Sequence, residues 1–308
     1  MKFIVTGGAG FVGSNIAFTL EKMGHEVLII DDFSSGDYRN LIGFPGEVLA
    51  IDITDRSAME YIVGTDIDGI FHEAAITDTT VMDQKRMMQV NTDAYRFLLD
   101  WAVSDNVRVV YASSAGVYGN SAAPNRIDHG LLPENVYGFS KYSMDMTTKR
   151  YLNDFPDLGV VGLRYFNVYG PGESFKGHAA SMVYQLYHQI KAGKTPRLFK
   201  HGEQKRDFIF IEDIVQANMK AMFGEEVQSG VYNVGTGKAR TFNDMIAIIQ
   251  RCLGTSIEVE YFDNPYRFYQ NHTEADISET TKQLGYKPEF TFEAGIAKYI
   301  EYLEATGR

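Results

Sequence analysis

The chain of 308 residues suits one large domain or two modest ones, and its 44% hydrophobic and 22% charged residues are ordinary values for a globular enzyme with an ample core. A net charge of −11 argues against nucleic acid and anionic lipid as partners, so a phosphate-bearing ligand needs a local basic pocket. The single cysteine, Cys252, excludes an internal disulfide and reads as a small core residue; there is no cluster of metal ligands and no apolar run near the ~20 residues of a membrane span, which together point to a cytoplasmic protein.

In chain order, the run Phe3-Ile4-Val5 is followed by helical spacing over 14–23 and a second apolar run over 27–30. Further runs fall at 48–51, 69–71, 107–111 and 160–163. They are short, rich in β-branched residues and not alternating, which is the pattern of parallel strands covered on both faces. Strand and helix in alternation predict an α/β, Rossmann-type doubly wound sheet with right-handed crossovers. After about residue 168 the rhythm changes. Pro171, Gly172 and Gly177 mark a loop, 179–192, 242–253 and 292–303 read as helices, and 207–211 and 231–234 as strands. The expected organisation is a dinucleotide-binding domain over 1–168, to which some segments of 205–236 return, and a smaller α/β substrate-binding domain over 169–308.

Thr6-Gly7-Gly8-Ala9-Gly10-Phe11-Val12-Gly13 joins the first strand to the first helix. Glycines at 7, 10 and 13 allow a tight turn, close approach of backbone to a pyrophosphate, and close helix–sheet packing, while the helix N-terminus attracts the anion. Asp31 follows the second strand, where a carboxylate accepts hydrogen bonds from an adenosine ribose. Asp32 beside it leans toward NAD, since two carboxylates repel a 2′-phosphate; Arg39 nearby argues for NADP. The cofactor is therefore NAD or NADP.

Tyr137-Gly138-Phe139-Ser140-Lys141 places a tyrosine and a lysine four apart, on one face of a helix. A phenol with a pKa near ~10 is a poor base at neutral pH, and lowering it by about three units takes roughly 4 kcal/mol of differential stabilisation. A nearby ammonium and a cationic nicotinamide supply that kind of stabilisation. By itself such a pair, in a chain with 19 tyrosines, is a solvated helix face. Behind a dinucleotide turn, with Ser113-Ser114 after the run ending at Tyr111 able to bond a reacting oxygen, it becomes the leading catalytic candidate.

Turn, serine pair and Tyr-x-x-x-Lys, in that order, resemble the extended short-chain dehydrogenase/reductase family over nearly the whole chain. Phe71-His72-Glu73-Ala74-Ala75, Asn91, the segment 164–170, Lys205-Arg206-Asp207-Phe208 and 232–237 resemble further landmarks. The resemblance implies a nucleotide-sugar substrate, transient oxidation with a retained cofactor, and homo-oligomers. It implies cofactor contacts from Gly7, Gly10, Phe11, Val12, Gly13, Asp31, Asp32, Asp52, Ile53, Glu73, Ala74, Ala75, Asn91, Tyr137, Lys141 and Val168. Family 4,6-dehydratases carry acids just after the strand serine or threonine; Ser113-Ser114-Ala115-Gly116 has none, so epimerisation is expected rather than dehydration.

Thr79-Thr80, 164–170, Lys176-Gly177, Ala180-Ser181, Pro196-Arg197-Leu198-Phe199 and Tyr269 resemble the ADP-glycero-manno-heptose 6-epimerase branch of that family. This implies Tyr137 and Lys176 as two acid/base groups, one for each face of the sugar carbon, with Lys141 and Ser114 in support. It also implies substrate contacts from Thr79, Thr80, Ser114, Asn167, His178, Phe199, Arg206 and Tyr269. The bland alternatives are a loop lysine or phosphate contact for Lys176, a core position for Phe199, and an Arg206–Asp207 ion pair. Departures from the branch are His178 where serine is common, Gln185 where many carry histidine, and Asp32 in place of a neutral residue. A 4-epimerase of UDP-hexoses or UDP-uronates is the runner-up, using Tyr137, Lys141 and Ser114 without Lys176. A non-catalytic dinucleotide sensor is the reading from a different class, and retention of the tyrosine, lysine and serine argues against it.

Overall fold

The computed structural model describes residues 1–63, 66–265 and 269–307. Strand and helix alternate through β1 (Lys2–Thr6), α1 (Phe11–Lys22), β2 (Glu26–Asp31), β3 (Glu47–Ala50), α2 (Arg56–Glu60), β4 (Gly69–His72), α3 (Gln84–Met88), α4 (Ala94–Asp105), β5 (Arg108–Ser114), α5 (Val136–Asp154) and β6 (Val160–Tyr165). The second half runs β7 (Asn167–Tyr169), α6 (Met182–Lys191), β8 (Arg197–Phe199), β9 (Lys205–Phe210), α7 (Ile211–Phe223), β10 (Gly230–Val234), β11 (Ala239–Thr241), α8 (Phe242–Leu253), β12 (Glu260–Phe262), α9 (Ser278–Leu284) and α10 (Phe292–Thr306).

The main sheet has seven strands in the order β10-β6-β5-β4-β1-β2-β3, every neighbour parallel. Successive residues of β1 serve opposite faces: Phe3 and Val5 join the core that holds Ile16, Leu20 and Ile214, while Ile4 joins the core of Leu98, Leu99 and Trp101. This two-sided burial is why the strands read as unbroken apolar runs. The edge strand β3 departs from that expectation. It has one neighbour, β2, and Val48 is 38% exposed.

The chain moves outward from β1 in both directions, to β2 on one side and β4 on the other. The crevice at the carboxyl ends of such strands is where ligands bind in open α/β sheets. The second half builds a three-stranded sheet, β11-β9-β7, and a two-stranded one, β12-β8, beside that crevice, while β10 joins the main sheet next to β6. Cys252 corrects a sequence expectation. It is exposed on the last turn of α8, whose buried stripe is carried by Phe242, Met245, Ile246, Ile248 and Ile249, so its apolar neighbours in sequence face away from it.

Candidate active site

The turn after β1 is closed by backbone. Gly7 N–H donates to Ile30 O (2.8 Å) and Gly10 N–H to Gly7 O (3.0 Å). Gly7 has φ +69, and a Cβ there would stand 2.5 Å from Ala74 N; one on Gly13 would stand 2.2 Å from Gly7 O. Both positions require glycine. Helix α1 begins at Phe11 behind Gly10, with no side-chain cap, so its first N–H groups point at the crevice. A dinucleotide's diphosphate fits this cradle.

Asp31 closes β2 and is buried, accepting from Ala9 N (2.9 Å) and Phe33 N (2.8 Å). Burial raises its pKa, opposed by those two hydrogen bonds. Asp32 is exposed and accepts from Ser34. Arg39, the residue that argued for a 2′-phosphate, is forked onto Asp37 (2.8 and 2.6 Å) and lies 3.9 Å over the ring of Phe175. Asp52 is held by Thr54 and by Arg86 at 2.9 Å, and Ile53 is buried. Glu73 and Ala74 follow β4, and the Glu73 carboxyl accepts from Tyr165 Oη (2.9 Å); Ala75 follows directly. Asn91 sits in a π-helical turn between α3 and α4. It bonds the backbone of Ile76 and the Oγ of Ser140, bracing the helix that carries Lys141.

Helix α5 starts where Asn135 caps it, its side chain accepting from Gly138 N (2.7 Å). Tyr137 is therefore in the first turn and Lys141 one turn on, on one face. Ser114 stands beside Tyr137 in the cavity wall and lowers its pKa. Of the serine pair, Ser113 is buried in the sheet and Ser114 faces the cavity. Lys141 is also buried, its Nζ donating to Ala112 O (2.7 Å). Burial brings its pKa down to about 8, against the raising effect of Glu73 and Asp145. The expected lowering of the Tyr137 pKa is absent from the protein alone: burial raises it, Ser114 partly offsets this, and the Glu73 charge raises it further. Burial also raises Glu73 to about 8, opposed by Tyr165 and Lys141.

A cavity of about 320 Å³ opens beside Tyr137 and brings together Thr79, Ser114, Tyr137, Asn167, Arg206 and Tyr269 from six separate stretches of chain. The Arg206 guanidinium lies 4.8 Å over the Tyr269 ring, and burial lowers its pKa. Asp207 does not pair with it, being engaged by Thr236, Gly237 and Ala275. Phe199 stands behind this wall, edge-on to Tyr269 at 5.2 Å.

Other sequence-derived positions lie outside the cavity wall. Thr80 turns back to Asp78, and His178 is exposed with its Nε2 3.9 Å from Asp78. Val168 pairs with Ile209 in the small sheet and packs against the core. Lys176 reaches over the ring of Phe11, 5.6 Å from its centroid, at the start of α1. Its loop is anchored by buried Glu173, which accepts from Gly170 N (3.1 Å) and Ser181 Oγ (2.8 Å). Burial lowers the Lys176 pKa, against the pull of Glu173. Among the described residues no group of three or more His, Cys, Asp or Glu is placed to hold a metal, and no helix is long and apolar enough to cross a membrane.

The family model described as the NAD dependent epimerase/dehydratase family matches residues 3–235. The chain belongs to that family. The ADP-L-glycero-D-manno-heptose-6-epimerase of Brachyspira hyodysenteriae is 38% identical over 318 aligned residues, covering 99% of this chain and 98% of the relative. Among solved structures, the Helicobacter pylori ADP-L-glycero-D-manno-heptose-6-epimerase is 45% identical with a TM-score of 0.92, over 99% of this chain and 96% of that one. A UDP-N-acetylglucosamine 4-epimerase from Methanobrevibacter ruminantium, in complex with UDP-N-acetylmuramic acid, is 31% identical with a TM-score of 0.90, over 99% and 98%.

Sequence reasoning about this epimerase/dehydratase chain missed several wall residues. Glu134, Tyr165, Phe166 and Gln270 line the cavity. Glu134 stands three residues before Tyr137, and Gln270, whose Nε2 donates to Gly119 O (2.7 Å), adjoins Tyr269; proximity to assigned residues was the available signal.

Proposed function

We propose that the chain epimerises ADP-glycero-manno-heptose at C6, by oxidation of that carbon, turning of the ketone and re-reduction on the opposite face. The observation that carries the reading is the cavity that sets Ser114 and Tyr137 in one wall with Arg206 and Tyr269, in a chain 38% and 45% identical to heptose 6-epimerases. In this reading Gly7, Gly10, Gly13 and Asp31 hold the dinucleotide. A nicotinamide bound there supplies the acceptor and donor of hydride. Tyr137 Oη takes the proton of the reacting hydroxyl, and Ser114 donates to the same oxygen. Lys141, its Nζ fixed on Ala112 O one turn along α5 from Tyr137, would hold the nicotinamide ribose. Arg206 meets the substrate diphosphate through charge-assisted bonds. Lys176 supplies the second proton-transfer group; a lysine pKa lowered by burial is the direction such a role needs.

One observation favours a second reading. Lys176 lies over Phe11 and not in the cavity wall, and a UDP-hexose or UDP-uronate 4-epimerase uses Tyr137, Lys141 and Ser114 without it. The test is incubation with ADP-D-glycero-D-manno-heptose followed by proton NMR, for the wild type and Lys176→Ala. Formation of the L-glycero epimer without added cofactor, abolished in the variant, is expected. Turnover of a UDP-sugar instead, unaffected by Lys176→Ala, moves the assignment to the 4-epimerase.

The paired acids Asp31 and Asp32 favour NAD over NADP, which analysis of the cofactor released on denaturation tests. The reading takes the enzyme as cytoplasmic and homo-oligomeric; light scattering that returns only the 34.6 kDa single chain counts against the latter.

A further inference from the structure

Among the described residues, two that line the cavity carry a formal charge, Arg206 and Glu134. The cation has a role under the reading above, opposite a diphosphate. The anion has none. Glu134 precedes the cap of α5 and shares the wall with Ser114, Gly116 and Tyr137, where that reading seats the sugar. Its stem packs on Gly119, whose absent Cβ would stand 3.0 Å from Glu134 Cγ. A single amide holds the head: Asn120 Nδ2 donates to Oε1 (3.1 Å) and Oε2 (2.9 Å). Among the described residues no cation pairs with this carboxylate within 4 Å. One amide nitrogen with at most two N–H groups leaves lone pairs on the carboxylate, which has about four acceptor sites when ionised. Among the described residues, then, the wall presents a carboxylate held by one amide and open to further hydrogen bonds.

We infer that Glu134 is a specificity-determining residue, accepting from hydroxyls of a neutral polyol sugar and rejecting nucleotide sugars whose sugar ring carries a carboxylate. The inference rests on the proposed seating of the sugar beside Tyr137, but not on which neutral sugar is turned over. Two like charges in a partly enclosed wall repel, and each hydroxyl replaced by a carboxylate also removes a donor the wall is built to meet. Discrimination of this kind works by making the wrong ligand leave an anion unpaired.

The test compares UDP-glucose with UDP-glucuronate, which share the nucleotide and differ in one CH₂OH against one carboxylate. Dissociation constants of both are measured by calorimetry on the cofactor-loaded protein, for the wild type and Glu134→Gln, at low and at high salt. The wild type is expected to bind the uronate roughly tenfold more weakly than the hexose. In Glu134→Gln that ratio is expected to fall at least fivefold, and the wild-type ratio to shrink as salt screens the charge. A ratio unchanged by Glu134→Gln overturns the inference, as does a wild type that prefers the uronate or binds neither sugar. The heptose assay reports separately. A shifted ratio without heptose turnover keeps the role of Glu134 and removes the 6-epimerase assignment. Heptose turnover with an unshifted ratio does the reverse.

Discussion

Tyr137 stands in surroundings that oppose its ionisation, with burial and the Glu73 carboxyl both raising its pKa and only Ser114 lowering it. On the proposed reading, a phenol so placed keeps its proton until a bound, oxidised cofactor brings positive charge. Tyr137→Phe is therefore expected to lower turnover by about 10²–10⁴-fold with nucleotide-sugar binding retained, read by the NMR assay and calorimetry together. Glu73 gives a pH prediction with a definite sign. Its folded pKa, about 8, lies above the ordinary value of 4.5, so the folded protein binds the proton more tightly than the unfolded chain. The associated stability is fully present below pH 4.5 and is lost as pH rises through about 8. Glu73→Gln keeps the neutral form at every pH. The melting temperature of the wild type relative to this variant should fall between pH 5 and pH 8.5; a constant difference contradicts the assignment.

At the scale of elements, two devices position the chemistry. The first is the β1–α1 turn, where Gly13→Ala would set a Cβ 2.2 Å from Gly7 O and force the turn open. The expected result is a lower melting temperature and loss of co-purifying dinucleotide, measured by absorbance of the released cofactor. The second is the buried anchor of α5. Asp145, one turn beyond Lys141, accepts from Arg164 Nε (2.8 Å) and Tyr111 Oη (3.0 Å), and both charged side chains are fully buried. Arg164 also donates to Tyr118 Oη (2.8 Å) and Ile127 O (2.6 Å). Removing one partner leaves the other charged and desolvated, so Asp145→Ala should cost about 3–5 kcal/mol in urea unfolding. Replacing both, as Asp145→Leu with Arg164→Met, should cost less than the single change. Both elements were legible in the sequence in outline, because a glycine turn and a four-residue spacing are local signals. The anchor was not, since nothing along the chain links Asp145 to Arg164 across a strand.

For the whole molecule, one buried cluster runs from Phe3 and Val5 of the main sheet through Ile209 and Phe210 to Ile249 of α8 and Ile300 of α10. The division at about residue 168 thus separates two stretches of chain that share a core. We expect calorimetry to give a single cooperative transition, with the calorimetric and van't Hoff enthalpies equal; two resolved transitions would show that the halves melt apart. Added NAD should raise that transition as a whole, by about 2.7 kcal/mol at a hundredfold excess over its dissociation constant.

The sequence by itself determined the parallel α/β sheet, the glycine turn after β1 with Asp31 at the end of β2, and the Tyr137–Lys141 spacing, because each is written in local runs of residues. It also carried the family, through motifs in fixed order. Tertiary structure decided the rest. It set Glu134, Tyr165 and Gln270 in the same wall as Tyr137, put Lys176 over Phe11 rather than in that wall, and left Cys252 on the surface. It also tied Asp207 to Thr236 and Ala275, leaving Arg206 to stack on Tyr269. Those outcomes depend on which distant segments meet and which face of a helix is covered, and a chain read in one dimension carries periodicity but not the partner that buries it.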